Sequence, residues 1–460
     1  MKTTFMNVSR GVIGALAFSL GISSCQSSQS KMTFEQEGDS LTVIHITNPT
    51  QYLLLPVEEK TPEAQVCIAS DSVPVDMDVR LSREKVDYFV PFALPKGEKE
   101  VAVRIRHLPK EALCWKELKL SDTFDTTNTD QYRPLYHHTP LYGWMNDANG
   151  LVYKDGEYHL FYQYNPYGSM WGNMHWGHSV SKDLVHWEHL EPALARDTLG
   201  HIFSGSSVVD DANTAGYGAG AIVAFYTSAS DKNGQIQCMA YSTDNGRTFT
   251  KYEKNPVLTP FDGLKDFRDP KVFWHEETKS YIMILWVDGN EFAILRSTDL
   301  EKWNISQRFE LTDGFECPDL ICLTDETGKH WFVTTADGYY YPGEFDGYSF
   351  NWSGKRYCLY MNKVPYAAQT YSNTDGRVIF VPWLRLEFKG RKYTGAMGIP
   401  RELGLIKIDN EYRITLKPVQ EFKDEFKSHS FKVRDLTVFV DNGIVEVTAD
   451  CDTMLGVYEV

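Results

Sequence analysis

Three carboxylates stand in unusual settings. Asp147 lies in Trp144-Met145-Asn146-Asp147-Ala148-Asn149-Gly150, a lone acid set against an indole and a thioether. Asp269 lies in Phe267-Arg268-Asp269-Pro270, directly before the apolar run Val272-Phe273-Trp274. Glu316 lies in Gly314-Phe315-Glu316-Cys317-Pro318, before Leu320-Ile321-Cys322-Leu323. A carboxylate beside apolar groups at the mouth of a strand suits a glycosidase nucleophile, because glycoside cleavage works through paired acids. A capped turn has the same look. Asp147 alone therefore fits either reading, Arg268-Asp269 alone fits a structural ion pair, and Glu316 alone fits a surface acid.

The elements that must position these acids decide between the readings. After Asp147 come two aromatic-rich runs, Leu151–Tyr153 and Tyr158–Tyr164, flanking Lys154-Asp155-Gly156-Glu157; Asp-Gly between such runs signals a hairpin. All three acids thus occupy the start of an apolar strand. Between 132 and 420 a pattern recurs: Ser181-Lys182-Asp183 followed by Trp187, Ser242-Thr243-Asp244 followed by Phe249, and Ser297-Thr298-Asp299 followed by Trp303. The copies lie 61 and 55 residues apart. A period of that size with several strands per unit indicates a propeller, and its length makes five blades. The innermost strands of a propeller gather at one end of its channel. Acids 122 and 47 residues apart in sequence would there share one pocket.

The fold class expected is all-β, with further units on either side of a propeller over 132–420. Residues 26–125 form an N-terminal unit and linker. Its runs Leu41–Ile46, Val66–Ile68 and Val101–Arg106 read as short strands of a small β-sandwich, and Ser121–Asp130 as the linker. Residues 421–460 contain strand-like runs and the turn Asp441-Asn442-Gly443; these are too few to bury a core alone, so they must pack on the propeller or belong to an incomplete β-sandwich. Residues 1–25 read as a leader: Lys2 and Arg10 precede the apolar run Gly11–Ile22, and small residues precede Cys25. That form resembles a bacterial lipobox, which implies lipidation of Cys25 and a membrane anchor on an exported chain. The 460-residue chain carries a net charge of −16, which excludes a nucleic-acid partner and suits a neutral substrate; its 13 % aromatic content suits a β-rich, sugar-stacking protein. The cysteines after Cys25 are odd in number and irregular in spacing, so no disulfide framework is expected. Cys317 and Cys322 lack a second pair, and His275-Glu276-Glu277 lacks a second His, so neither a catalytic metal nor another cofactor is expected.

The acid boxes, taken with Phe161–Pro166, Trp171–His178, Phe203–Ser206, Tyr366–Thr370 and Ile399–Leu403, resemble glycoside hydrolase family 32, the invertases, inulinases and levanases. The resemblance covers about 132–420 and departs from the family's pattern at Ala148, where a proline is usual. It implies a five-bladed propeller and retaining cleavage of β-fructofuranosidic bonds in fructans, fructo-oligosaccharides or sucrose. By match, Asp147 is the nucleophile and must be ionised. Glu316 is the acid–base and needs a raised pKa from burial and a neighbouring carboxylate. Asp269 stabilises the transition state, and Arg268 holds Glu316 or the sugar. Asn146, Gln163, Trp171, Phe203, Ser204 and Trp383 match fructose-pocket positions, although Trp171 and Trp383 also suit a core. A non-catalytic fructan-binding lipoprotein would have lost an acid, and none is lost. An arabinan-type five-bladed hydrolase would share three acids but not the boxes around them.

Overall fold

A computed structural model describes residues 29–460 apart from 38–39, 70–72, 128–129, 132, 426–428 and 450. The leader, with Cys25, lies outside the described residues. Strands dominate; α-helix among the described residues is confined to Cys114–Glu117 and Gln420–Glu425.

In the N-terminal unit, strands Lys31–Glu37, Leu41–Thr47, Glu100–Arg106, Ala64–Ile68 and Met77–Val79 form one sheet in that spatial order. Tyr88–Ala93, Tyr52–Val57 and Lys119–Ser121 form a second. In Glu100–Arg106, Val101, Val103 and Ile105 are buried while the residues between them are not, as a half-buried strand requires. They join Ile44, Ile46, Leu53, Leu55 and Val90 in a core that belongs to this unit.

Residues 143–418 make five successive sheets. Each begins with one of the strands Gly143–Lys154, His201–Asp210, Phe267–His275, Asp319–Asp325 and Pro365–Thr370. Middle strands such as Ser280–Val287 are buried along their whole length, which is why they read as continuous apolar runs. Outer strands such as Asn304–Glu310 face water. The cores lie between adjacent sheets. Val152, Phe161 and Trp176 of the first meet Ile202, Ile222 and Ala224 of the second. Ile282, Ile284 and Trp286 of the third meet Leu320, Trp331 and Val333 of the fourth. Tyr371, Ile379 and Val381 of the fifth return to Met145, Leu151 and Tyr158 of the first. Tyr393–Thr394 adds to the first sheet, pairing in parallel with Gly143–Trp144.

The recurring Ser-x-Asp pattern is a turn between third and fourth strands. The serine hydroxyl donates to the aspartate in each copy, at 3.0 Å for Ser181–Asp183, 2.7 Å for Ser242–Asp244 and 3.1 Å for Ser297–Asp299. The aspartate then accepts backbone N–H groups of the following turn, such as those of Glu301 and Lys302. A short polar side chain that satisfies loop amides fixes the turn without a partner from elsewhere.

First strands are tied to one another by polar contacts. Gln369 donates to the Gly205 carbonyl (3.0 Å) and accepts from the Leu151 N–H (3.2 Å). Ser206 donates to the Pro270 carbonyl at 2.8 Å. Lys271, buried, pairs with Asp319 at 3.2 Å and donates to Thr370. These bonds satisfy inner-strand polar groups that have no route to bulk water.

The residues from 430 form one four-stranded sheet whose Phe439, Ile444, Leu455 and Val457 are buried; Ile444, Leu455 and Val457 pack with Phe380, Leu384 and Leu403 of the fifth sheet. Its attachment is polar as well as apolar. Asp441 accepts the N–H groups of Leu135, Tyr136 and His137, and His137 is held between Asp441 (2.8 Å) and Glu446 (3.1 Å). Glu446 also pairs with the fully buried Arg401.

Candidate active site

Glu316 sits at the entry to its strand as expected; Asp147 and Asp269 do not. Asp147 and Asp269 lie inside Gly143–Lys154 and Phe267–His275, while Glu316 lies just before Asp319–Asp325. Register explains the difference. Gln163 faces two residues, Asn146 and Asp147, because pairing shifts between Tyr162–Ala148 and Tyr164–Met145. The same two-against-one offset puts Phe203 and Ser204 opposite Thr227, Asp269 and Pro270 opposite Leu285, and Ala367 and Ala368 opposite Pro382. Four of the five first strands therefore bulge at one level. A bulge leaves a residue outside the ladder and re-aims its side chain. The Asn, Asp and Gly around Asp147 serve that irregularity rather than a turn ahead of a strand. Ala148 resumes the ladder opposite Tyr162 and is buried.

The bulges converge on a cleft of about 440 Å³. Every side chain expected at the site lines it: Asn146, Asp147, Gln163, Trp171, Phe203, Ser204, Arg268, Asp269, Glu316 and Trp383. Gln235 and Tyr366 line it too and were not expected there. Tyr366 opens the Tyr366–Thr370 box, whose sequence alone does not assign it a role. Gln235 carried no signal, being a polar residue at a strand end.

Asp147 accepts the Ser204 hydroxyl at 2.7 Å. The Cys317 thiol lies between two acids, 3.6 Å from Asp147 Oδ2 and 3.5 Å from Asp269 Oδ2, and the Cys317 N–H donates to Asp269 at 3.0 Å. Burial and the surrounding carboxylates hold that thiol well above its ordinary range, so it stays protonated and can donate. Glu316 receives Arg268 Nη2 on one oxygen (2.5 Å) and the Tyr366 hydroxyl on the other (2.7 Å). Arg268 is fixed from behind by Asp266 and by stacking over Trp286, 4.1 Å from the ring centre. Gln235, which accepts from the Phe267 N–H and from Arg268, completes that support.

Burial, then the Asp269 charge, push Asp147 up to about 7, with Glu316 adding to the rise and the Ser204 and Cys317 hydrogen bonds opposing it. Burial likewise raises Asp269, to about 6, against the opposing charge of Arg268. Asp147, the residue expected to be fully ionised, is thus itself raised. Carboxylates crowded in a buried site cannot all carry charge at small cost, so the free site holds protons near neutral pH.

Backbone strain collects here. Asp269 (φ 64°), Glu316 (φ 47°), Cys317 (φ 43°) and Ala367 (φ 44°) are left-handed non-glycine residues. Each such residue costs about 1–3 kcal/mol and persists only where its surroundings over-determine it. Here Ala336 donates to the Phe315 and Glu316 carbonyls, and Ala367 donates to Ala336. Among the described residues, Asn146 Oδ1, Gln163 Nε2 and Trp383 Nε1 are buried polar atoms of the cleft wall with no protein partner.

Residues 137–418 match the glycosyl hydrolases family 32 N-terminal domain, and residues 38–136 match a domain of unknown function, DUF4980. A levanase of Bacillus subtilis is 42 % identical over 352 residues, covering 69 % of this chain and 51 % of its own. An invertase of Debaryomyces hansenii is 41 % identical over 279 residues, covering 55 % and 52 %. The chain spans about half the length of these curated relatives. Among solved structures, an exo-inulinase from Aspergillus awamori superposes with a TM-score of 0.66 at 25 % identity, covering 73 % of this chain and 94 % of that one.

Proposed function

Because the chain belongs to glycoside hydrolase family 32, we propose that it is a retaining β-fructosidase that cleaves β-fructofuranosidic bonds in levan, inulin or sucrose-type oligosaccharides. The observation that carries this reading is the convergence on one cleft of Asp147 and Asp269 from two different sheets and of Glu316 from the segment leading into a third. In the proposed reaction, the Asp147 carboxylate attacks the anomeric carbon while Glu316 gives its proton to the departing glycosidic oxygen. Glu316, now a carboxylate, then takes a proton from the water that releases fructose from Asp147. Arg268 and Tyr366 hold the two oxygens of Glu316 and so fix its direction. Asp269, held by Cys317 and Arg268, accepts fructose hydroxyls and offsets positive charge developing on the ring. Asn146, Gln163 and Trp383 supply polar atoms without partners, which the hydroxyls of a neutral sugar would satisfy.

The same proposal takes the five sheets of 143–418 as five blades of a propeller over 132–420, 26–125 as a β-sandwich and linker, and 421–460 as a C-terminal β-sandwich segment. It takes 1–25 as a lipoprotein leader with Cys25 lipidated, so that the enzyme is exported and held at a bacterial membrane, periplasmic or at the cell surface. Its support is the basic, apolar, small-residue, cysteine order of that stretch. The test is fructose release from levan, inulin and sucrose by folded protein, with Asp147→Ala beside it. No release from any of the three sinks the reading. An Asp147→Ala variant that keeps most of its activity sinks the nucleophile assignment.

A further inference from the structure

The cleft has one wall that the five sheets do not hold by themselves. Trp171 is 52 % exposed at the rim, stacked on His201 (5.9 Å between centroids) and edge-on to Phe203 (6.1 Å). It sits in the loop between the strands Glu157–Asn165 and His175–Ser181. A bulky aromatic in a loop is useful to a ligand only if the backbone under it is fixed.

The N-terminal unit fixes it on both sides. Two residues before Trp171, the Ser169 N–H and hydroxyl both donate to Glu59, at 2.9 and 2.7 Å, and the Tyr88 hydroxyl adds its own bond to Glu59. Two residues after Trp171, the Asn173 side-chain amide pairs with the Asp78 backbone in the manner of a strand, accepting its N–H (2.9 Å) and donating to its carbonyl (2.7 Å). Asn173 is buried and left-handed (φ 40°), a conformation asparagine tolerates better than most residues. Glu59, Asp78 and Tyr88 come from three separate segments of the N-terminal unit, so the grip belongs to that unit's fold rather than to one tail.

We infer that the N-terminal unit is a positioning element of the active site: through Glu59 and Asp78 it clamps the Trp171 loop as the outer wall against which the sugar chain is bound. The sugar part of this inference rests on the fructosidase reading; the clamp does not. Glu59 touches no substrate. It acts through Ser169 on Trp171, so its loss weakens binding without touching the acids.

The experiment uses the full chain as wild type, Glu59→Ala, Ser169→Ala, Trp171→Ala and the Glu59→Ala/Trp171→Ala pair. Thermal melts first establish that each is folded. Hydrogen exchange over 166–174 reads the clamp, and kcat and KM on sucrose and levan read its consequence. Glu59→Ala should speed exchange in 166–174 by about tenfold, since a charge-assisted bond is lost. It should raise KM about fivefold with kcat within about twofold, the size of a lost aromatic contact. The double variant should be no worse than Trp171→Ala alone, because both changes remove one wall. A loss that was only structural would lower kcat in step with the folded fraction and leave KM in place. Unchanged exchange in both Glu59→Ala and Ser169→Ala overturns the clamp. Faster exchange with unchanged KM overturns its link to substrate. Wild-type protein that cleaves neither sugar overturns the fructosidase reading, and with it the sugar part, while exchange still decides the clamp.

Discussion

Ser204 gives the sharpest test of the site's electrostatics. Its hydroxyl donates to Asp147 Oδ2 at 2.7 Å and favours the charged carboxylate. Removing it in Ser204→Ala leaves burial and the Asp269 and Glu316 charges unopposed on that side, so the carboxyl must move further up from about 7. A hydrogen bond to a charged group contributes about 1.5–3 kcal/mol, and one pH unit corresponds to about 1.4 kcal/mol. A water entering the vacated space would recover part of this, so the expected shift is about one unit. If the nucleophile must be ionised, kcat/KM rises with pH through this group, and its acid limb reports the free enzyme. The wild-type limb should lie near neutrality and that of Ser204→Ala about one unit higher. At pH 6 the variant should be about tenfold slower in kcat/KM, with the difference closing as pH rises past both limbs. The assay is initial fructose release at substrate well below KM, from pH 4.5 to 9. A wild-type limb near 4 would refute the claim that burial and crowding raise Asp147. A Ser204→Ala limb that stays put or moves down would refute the role given to the hydroxyl.

Other outcomes follow from the same geometry. Tyr366→Phe removes the hydroxyl from one oxygen of Glu316 and should lower kcat about tenfold with KM nearly unchanged; an equal loss at every step of a leaving-group series would contradict a role at the acid. Lys271→Met leaves Asp319 buried without its cation and should cost about 3–5 kcal/mol in denaturant unfolding; a neutral result would mean that the pair is hydrated. For His137, burial acts downward, but the hydrogen bonds of Asp441 and Glu446 raise it to about 9 from an ordinary 6.5. Its folded pKa is the higher one, so its contribution is complete below about 6.5 and is lost as pH rises through 9. About 3 kcal/mol is at stake, to be read as a fall in Tm between pH 7 and 9.5 that His137→Gln lacks. Glu446, held down at about 2 against burial by Arg401 and His137, gives the mirror effect, with stability lost as pH falls through 2.

What could be read from the chain was chemistry carried by short strings. Asp147, Asp269 and Glu316 declared themselves through their neighbours, and the Ser-x-Asp turn was legible because its bonds close within a few residues. The level of each acid along its strand was not. A bulge depends on how many residues the partner strand places opposite, and Gln163, Thr227 and Leu285 bear no mark of facing two residues. Cys317 looks in sequence like half of a metal pair, but its thiol lies between Asp147 and Asp269. The hold of Glu59 on Ser169 spans 110 residues, and that of Asp441 on His137 spans 304, so neither leaves a local pattern.

The shared level of the four bulges has a consequence for how such a site can change. Side chains along a strand alternate with a period of two, and one extra residue reverses the phase of everything beyond it. Three of the bulged strands are therefore two stretches in opposite phase, joined at the cleft; Gly143–Lys154 has a second offset, with Gly150 and Leu151 opposite Leu160, and so has three. Below the joint, Val152, Val208 and Val272 keep the sheets packed. Above it, Arg268 and Tyr366 line the cleft, while Met145, Ile202 and Phe267 stay buried between sheets. Deleting one residue at 146–147 would leave Met145 opposite Tyr164 and Ala148 opposite Tyr162, but would remove the extra residue that re-aims Asn146 and Asp147 into the cleft. Point substitutions at the bulged positions can retune the cleft without shifting the register of the sheets, whereas single-residue deletions there should abolish it at once.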